Sequence, residues 1–126
     1  MTEFDEQMEL FPRATLADLV QAKKLLKEFR KAKQAVIAFE QEVERLPPEQ
    51  KDRLQKYRAN VRLIEQSISL IIDEEVRRII EHRFVKGQTH SATVVFFSSC
   101  MSDRTVERKL NEGITSIAST LKMWTS

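Results

Sequence analysis

The chain has 126 residues, which is enough for one domain or for a small domain joined to an extended element. Apolar residues make up 41% and charged residues 32%, so the sequence can form a core and remain soluble. A net charge of +2 is too small to indicate a nucleic-acid partner by itself. Two glycines, three prolines and many helix-forming residues predict an all-α fold.

Several classes of protein are disfavoured by what the sequence lacks. A single cysteine excludes an internal disulfide bond, so an oxidising compartment is not indicated. No run of about 18 apolar residues occurs, and the acidic N-terminus lacks the apolar core of a signal peptide. No carboxylate pair, phosphate-binding loop, metal-ligand set or nucleophile with a nearby base is evident. We therefore expect a cytoplasmic protein that is not an enzyme, with no membrane contact, cofactor or metal.

The N-terminal region divides into a leader and a helix. Residues 1–14 are expected to be loose, because Pro12 interrupts helical structure. The apolar residues of this leader that could dock elsewhere are Phe4, Met8, Leu10 and Phe11. Thr15 can cap the first helix, with Asp18 three residues later, and this helix is predicted to run to about Arg45.

Two apolar stripes alternate steps of three and four residues, which is typical of a coiled-coil seam. The first stripe is Phe29, Ala32, Val36, Phe39, Val43 and Leu46, and the second is Leu54, Tyr57, Val61, Ile64, Ile68 and Ile71. Pro47 and Pro48 end one helix and begin the next. Because the link is short, residues 15–71 are predicted to form a long antiparallel helical hairpin that could serve for dimerisation or partner binding.

Some apolar residues of this hairpin lie outside the two stripes. They are Val20, Ile37, Leu63, Leu70 and Ile72. We expect some of them to be covered by the C-terminal part of the chain or by a second subunit, which makes a homodimer through the hairpin plausible.

Residues 72–126 are predicted to form a C-terminal domain of three helices. The first is a new or continuing helix that ends at Gly87. Thr89 or Ser91 can cap a short helix over residues 92–98, although the β-branched and aromatic run 94–97 would also suit a buried strand. We favour the helix because no partner strand is evident.

The last helix combines a cap, a buried stripe and a polar face. Ser102 can cap it, and an apolar face follows at Val106, Leu110, Ile114, Ile117 and Leu121. The opposite face contains Arg104, Thr105, Arg108 and Glu112, with Lys109 and Asn111 on its flanks. Arginine can bind guanine or phosphate and asparagine can pair with adenine. Periodicity alone favours the plainer interpretation, a charged face turned to solvent.

Charge is distributed unevenly along the chain. Residues 77–126 contain eight Lys or Arg and four acids, a net charge of +4, which leaves −2 for residues 1–76. The positive excess therefore coincides with the C-terminal helices, where a surface that binds the DNA backbone would need it.

Residues 71–121 resemble region 4 of bacterial sigma factors, a helix-turn-helix that places its second helix in the DNA major groove. The resemblance rests on Arg83-Phe84-Val85-Lys86-Gly87 and on Ser102 to Leu110, which has the form Ser-x-x-Thr-Val-x-x-x-Leu. With its helical N-terminal half, the chain is similar to small phage transcriptional regulators of the ArpU/RinA type. It departs from the usual motif at Phe96, Ser99 and Cys100, where a small residue, Leu and Gly are common.

The resemblance implies a sequence-specific DNA-binding transcriptional regulator, encoded by a phage or prophage and acting on late genes. Base contacts are expected from Arg104, Thr105, Arg108 and Asn111, and phosphate contacts from Arg83, Lys86, Ser102 and Lys109. Double-stranded DNA would be the main partner, and the hairpin would form a homodimer or contact RNA polymerase. Two alternatives are a small terminase subunit that packages phage DNA and a coiled-coil adaptor that binds no DNA.

Overall fold

The computed structural model describes residues 13–125, and this part of the chain is all-α, with no strand. The all-α part of the predicted fold class is confirmed, and the helix-turn-helix stays a prediction. Five α-helices follow one another: α1 (Leu16–Phe39), α2 (Pro48–Ser69), α3 (Glu74–Ile80), α4 (His90–Phe96) and α5 (Asp103–Thr125). A 3-10 helix, Glu40–Arg45, continues α1, and a π-helical segment, Glu81–Val85, continues α3. The predicted leader lies almost wholly outside the described residues.

Helix α1 begins as the sequence predicts. Thr15 Oγ1 accepts a hydrogen bond from the backbone N–H of Asp18, and Asp18 Oδ2 accepts one from the backbone N–H of Thr15. This reciprocal pair satisfies two amides that have no partner within the helix. At the other end, the 3-10 helix extends to Arg45 and α2 starts with Pro48 in its first turn, where a missing N–H costs nothing.

Helices α1 and α2 pack against each other in antiparallel directions. Lys33 Nζ lies 3.1 Å from Glu65 Oε2, and farther along α1 the 3-10 helix begins at Glu40, whose carboxylate lies 3.7 Å from Arg58. Residue numbers thus rise in one helix as they fall in the other. Burial along the predicted stripes is uneven. Leu54 is buried, whereas Phe39 and Tyr57 remain 46% and 44% exposed.

Helix α5 covers the open end of this pair and packs on α1, α2 and α3. Its buried side contributes residues such as Val106 and Ile117, neither of which has any exposed surface. They join Leu26 of α1, Ile64 of α2 and Ile79 of α3 in one hydrophobic cluster. The division at residue 71 stays a prediction, but the core is continuous across it.

The chain turns between α2 and α3, so a new helix follows the hairpin. Asp73 caps α3 by accepting hydrogen bonds from the backbone N–H groups of Glu75 and Val76. The helix widens after Ile80, where the N–H of Lys86 bonds to the carbonyl of Glu81 with the spacing of a π-helix. Gly87 follows with φ of +71°, a conformation that favours glycine, so the predicted stop is confirmed.

The ambiguous apolar run 94–97 belongs to a helix and its C-terminal turn. Thr89 caps α4 by accepting a hydrogen bond from the N–H of Ala92. Phe97 is buried in the core, whereas Phe96 is half exposed and stacks on His82 at 4.3 Å between ring centroids.

Most apolar residues outside the two stripes remain on the surface of the monomer. Leu63 packs partly against the core, and Ile72 is almost completely exposed. About half or more of the surface is exposed at Val20, Ile37 and Leu70. Cover by a second subunit, the other possibility that we expect for these residues, stays a prediction. Within residues 13–125 no helix is both long and apolar enough to cross a membrane.

Candidate nucleic-acid interface

Helices α4 and α5 are joined by a tight turn over residues 97–102. The N–H groups of Cys100 and Met101 both donate to the carbonyl of Phe97, and the N–H of Ser98 donates to that of Val95. No described residue other than glycine has a positive φ. Cys100 therefore occupies its position without backbone strain, and the glycine common in related motifs is not required here.

The polar face of α5 presents three of the predicted base-contacting residues together. Arg104, Arg108 and Asn111 are all exposed. Arg104 and Arg108 lie about 40° apart around the helix axis, on the side opposite most of the buried residues, and Asn111 lies on the flank of this face, about 60° from Arg108. The Arg108 guanidinium lies 4.0 Å from the Glu112 carboxylate, an exposed pair that contributes little stability and can exchange partners.

Thr105 and Ser102 already use their hydroxyl groups within the helix. Ser102 Oγ accepts from the backbone N–H of Thr105 at 3.2 Å, and the two hydroxyl oxygens lie 2.9 Å apart. The cap predicted at Ser102 is thus present. Thr105 is only partly exposed, whereas Arg104 and Arg108 are exposed. The predicted base contact is therefore less accessible at Thr105 than at the two arginines.

Lys109 points away from this face. Its Nζ lies 3.1 Å from Glu75 Oε1 and 3.5 Å from Asp73 Oδ2, at the beginning of α3, and its side chain is 13% exposed. The hydrogen bond that Lys109 donates to Glu75 raises the pKa of Lys109. The N–H of Val76 and the Lys109 ammonium lower the pKa of Asp73. Lys109 therefore links α5 to α3 and is not grouped with the other predicted phosphate contacts.

Arg83 and Lys86 lie where the π-helical segment ends. Arg83 Nη1 donates to the carbonyl of Gln88 at 3.0 Å, and its guanidinium lies 4.9 Å from the Phe84 ring centre. Lys86 is exposed on the same loop. Both cations thus border Gly87, directly before α4.

A buried hydrogen bond holds this loop against α4. Thr93 donates its hydroxyl proton to the Thr89 carbonyl, so its oxygen accepts from His82 Nδ1–H at 2.9 Å. Burial and the nearby Lys86 lower the pKa of His82, which favours the neutral ring. The beginning of α4 is linked to α5 as well, because His90 Nε2 lies 3.3 Å from Glu107 Oε1.

The structure adds cations that sequence reasoning missed. Lys27, Arg30 and Lys31 of α1 line one groove together with Arg83. The sequence does indicate these cations by its local charge, since residues 19–39 contain six Lys or Arg and only one acid. It is hidden when charge is summed over residues 1–76, since acids at both ends of that region cancel it.

No family model matches the chain, and neither curated proteins nor solved structures give a match. Within residues 13–125, no three His, Cys, Asp or Glu side chains are placed to share a metal ion. The exposed side chains of α5 include Arg104, Arg108 and Asn111, whose N–H groups can donate to base edges and phosphates. The carboxylates of Asp103, Glu107 and Glu112 are exposed on the same helix.

Proposed function

We propose that the protein is a sequence-specific DNA-binding regulator of transcription, in which α4 and α5 form a helix-turn-helix and α5 enters the major groove. The observation that supports this most is the joint exposure of Arg104, Arg108 and Asn111 on one side of α5. These side chains match the acceptors of guanine and the donor–acceptor pair of adenine. A phage or prophage origin and action on late genes rest on the resemblance of the sequence.

The rigidity of α5 also favours recognition over a plain solvated face. Its 23 residues are buried on one side against three other helices. Ser102 caps its first turn, and Lys109 ties it to α3. A side chain that reads a base must be held within a fraction of an ångström, and supports of this kind provide such placement.

In-vitro selection from a random duplex library, using the whole chain, tests the proposal. We expect a defined sequence to be enriched. Arg104→Ala should then weaken binding to that duplex about 5- to 150-fold, which is the effect of losing one bidentate base contact of about 1–3 kcal/mol. Arg62→Ala, which removes an exposed cation from α2, is the matched control and should leave affinity nearly unchanged. No enriched sequence, or equal affinity of Arg104→Ala and wild type, would contradict the proposal.

The connected end of α1 and α2 is the place that we propose for a protein partner. Phe39, Tyr57 and Ile37 are exposed there, which suits a second copy of the chain or RNA polymerase. Molar mass in solution separates the alternatives. A monomer or dimer agrees with a regulator, whereas a large ring would favour a small terminase subunit. An adaptor function would be favoured if the chain bound no DNA even at low salt.

A further inference from the structure

A groove between α1 and the end of the π-helical segment is rich in positive charge. Its lining is Leu26, Lys27, Arg30, Lys31, Gln34, Arg83, Phe84 and Gly87. Four of these eight residues are cationic and none is acidic. Leu26 and Phe84 are buried, so they form an apolar floor below the charged rim.

The geometry of the groove depends on Gly87. A Cβ atom at this position would lie 2.5 Å from Arg30 Nη1 and 2.9 Å from Arg30 Cδ. A side chain at this position would require Arg30 to shift from the place where it lines the groove with Arg83. Gly87 itself adopts φ of +71°, so the turn favours glycine.

The cations of the groove have no acidic partners inside the described part of the protein. Among residues 13–125, no carboxylate lies within 4.0 Å of Lys27, Arg30, Lys31 or Arg83. By contrast, Lys33 on the same helix is paired with Glu65. Like charges gathered without counter-charges repel each other, and an anionic ligand relieves that repulsion.

The groove lies close to the face that we propose to read bases. Only Gln88 and Thr89 separate Gly87 from His90, so these three residue steps span about 11 Å at most. His90 pairs with Glu107, which lies on α5 between Arg104 and Arg108. Both surfaces thus fit within one turn of B-form DNA, about 34 Å.

We propose that this groove binds the phosphate backbone of the same DNA duplex, beside the bases that α5 contacts. The inference rests on the proposed function and extends it, because it assigns DNA contact to α1 of the N-terminal helix pair. Lys27 and Lys31 are one helical turn apart and point outward, and Lys23 continues the row by another turn. Such a row can follow successive phosphates of one strand.

The experiment compares two double variants that each remove two exposed cations. Lys27→Ala/Lys31→Ala changes the groove, whereas Lys56→Ala/Arg62→Ala changes α2, which contributes no residue to it. Binding to the selected duplex is measured over a range of salt concentrations, after unfolding curves show that both variants are folded. The slope of log K against log salt should become shallower by about 2 for the groove variant, since each phosphate contact contributes about 0.9. The control should keep the wild-type slope.

Base preference separates the two proposals. The groove variant should select the same sequence as wild type with weaker affinity, whereas Arg104→Ala should relax the preference at the base position that Arg104 contacts. A groove variant with the wild-type slope would overturn the groove proposal, even if Arg104→Ala behaves as expected. Conversely, if wild type enriches no sequence but the groove variant still has a shallower slope on random duplex, the backbone site stands and sequence-specific regulation fails. Tighter binding to RNA duplexes of equal length would overturn DNA as the occupant.

Discussion

Gly113 marks the closest approach between α5 and α3, and its replacement by alanine should destabilise the protein. A Cβ atom there would overlap Ile80 Cγ1, come within 2.7 Å of Ile80 Cδ1 and lie 3.1 Å from Val76 Cγ1. Ile80 has no exposed surface, so its side chain cannot swing into solvent. Alanine gains about 1 kcal/mol of helix propensity over glycine, but overpacking a core costs about 1–3 kcal/mol. We expect the free energy of unfolding to fall by up to about 2 kcal/mol.

The sign of this effect should reverse when the obstructing side chain is removed. Ile80→Ala alone should cost about 2–5 kcal/mol, because it leaves a cavity. In that background the clashing Ile80 atoms are gone and Val76 Cγ1 remains 3.1 Å from the added Cβ, so Gly113→Ala should stabilise the protein by up to about 1 kcal/mol. Urea unfolding followed by circular dichroism, for the four proteins of this double-mutant cycle, measures both steps. If alanine at position 113 destabilises equally in both backgrounds, the steric explanation is wrong.

Three further outcomes follow from local contacts. The pKa of His82 is lowered below its ordinary 6.5 in the folded protein, so the unfolded chain binds a proton at His82 more readily. The free energy of unfolding should therefore decrease as pH falls below about 6.5. His82→Gln should flatten that part of the pH–stability curve measured by denaturant titration. Thr15→Ala should cost about 1 kcal/mol by removing the cap of α1, and Thr15→Ser should restore it in thermal unfolding. Lys109→Gln should leave the salt dependence of DNA binding unchanged, because Asp73 and Glu75 already bind the Lys109 ammonium group. A shallower slope of log K against log salt would show that Lys109 contacts phosphate.

Local signals in the sequence were sufficient for the helix boundaries that depend on caps and prolines. Thr15, Pro48 and Gly87 act through atoms within a few residues of themselves, so their effects can be read from spacing. For α4, the sequence favours a helix only because no partner strand is evident. Its burial pattern could not be foreseen, because Phe96 stacks on His82 of another helix.

Contacts between residues far apart in the chain could not be predicted from the sequence. The outward side of α5 follows from periodicity, but nothing local indicates that Lys109 meets an acid 34 residues earlier. In the same way, Arg30 becomes part of a basic groove only because the fold brings it across Gly87. The two apolar stripes predicted that α1 and α2 pair. The exposure of Phe39 and Tyr57 on these helices depends on how far α5 extends along the pair.

The single hydrophobic cluster that joins α5 to α1, α2 and α3 has a consequence for how such a protein can be rearranged. Many regulators exchange their DNA-reading unit as a separate module, cut from one chain and fused to another. In this protein the excision of residues 72–126 would expose the buried sides of Val106 and Ile117 to water. On the proposed function, the exposed side chains of α5 would therefore be easier to change in place than the helix pair would be to transplant.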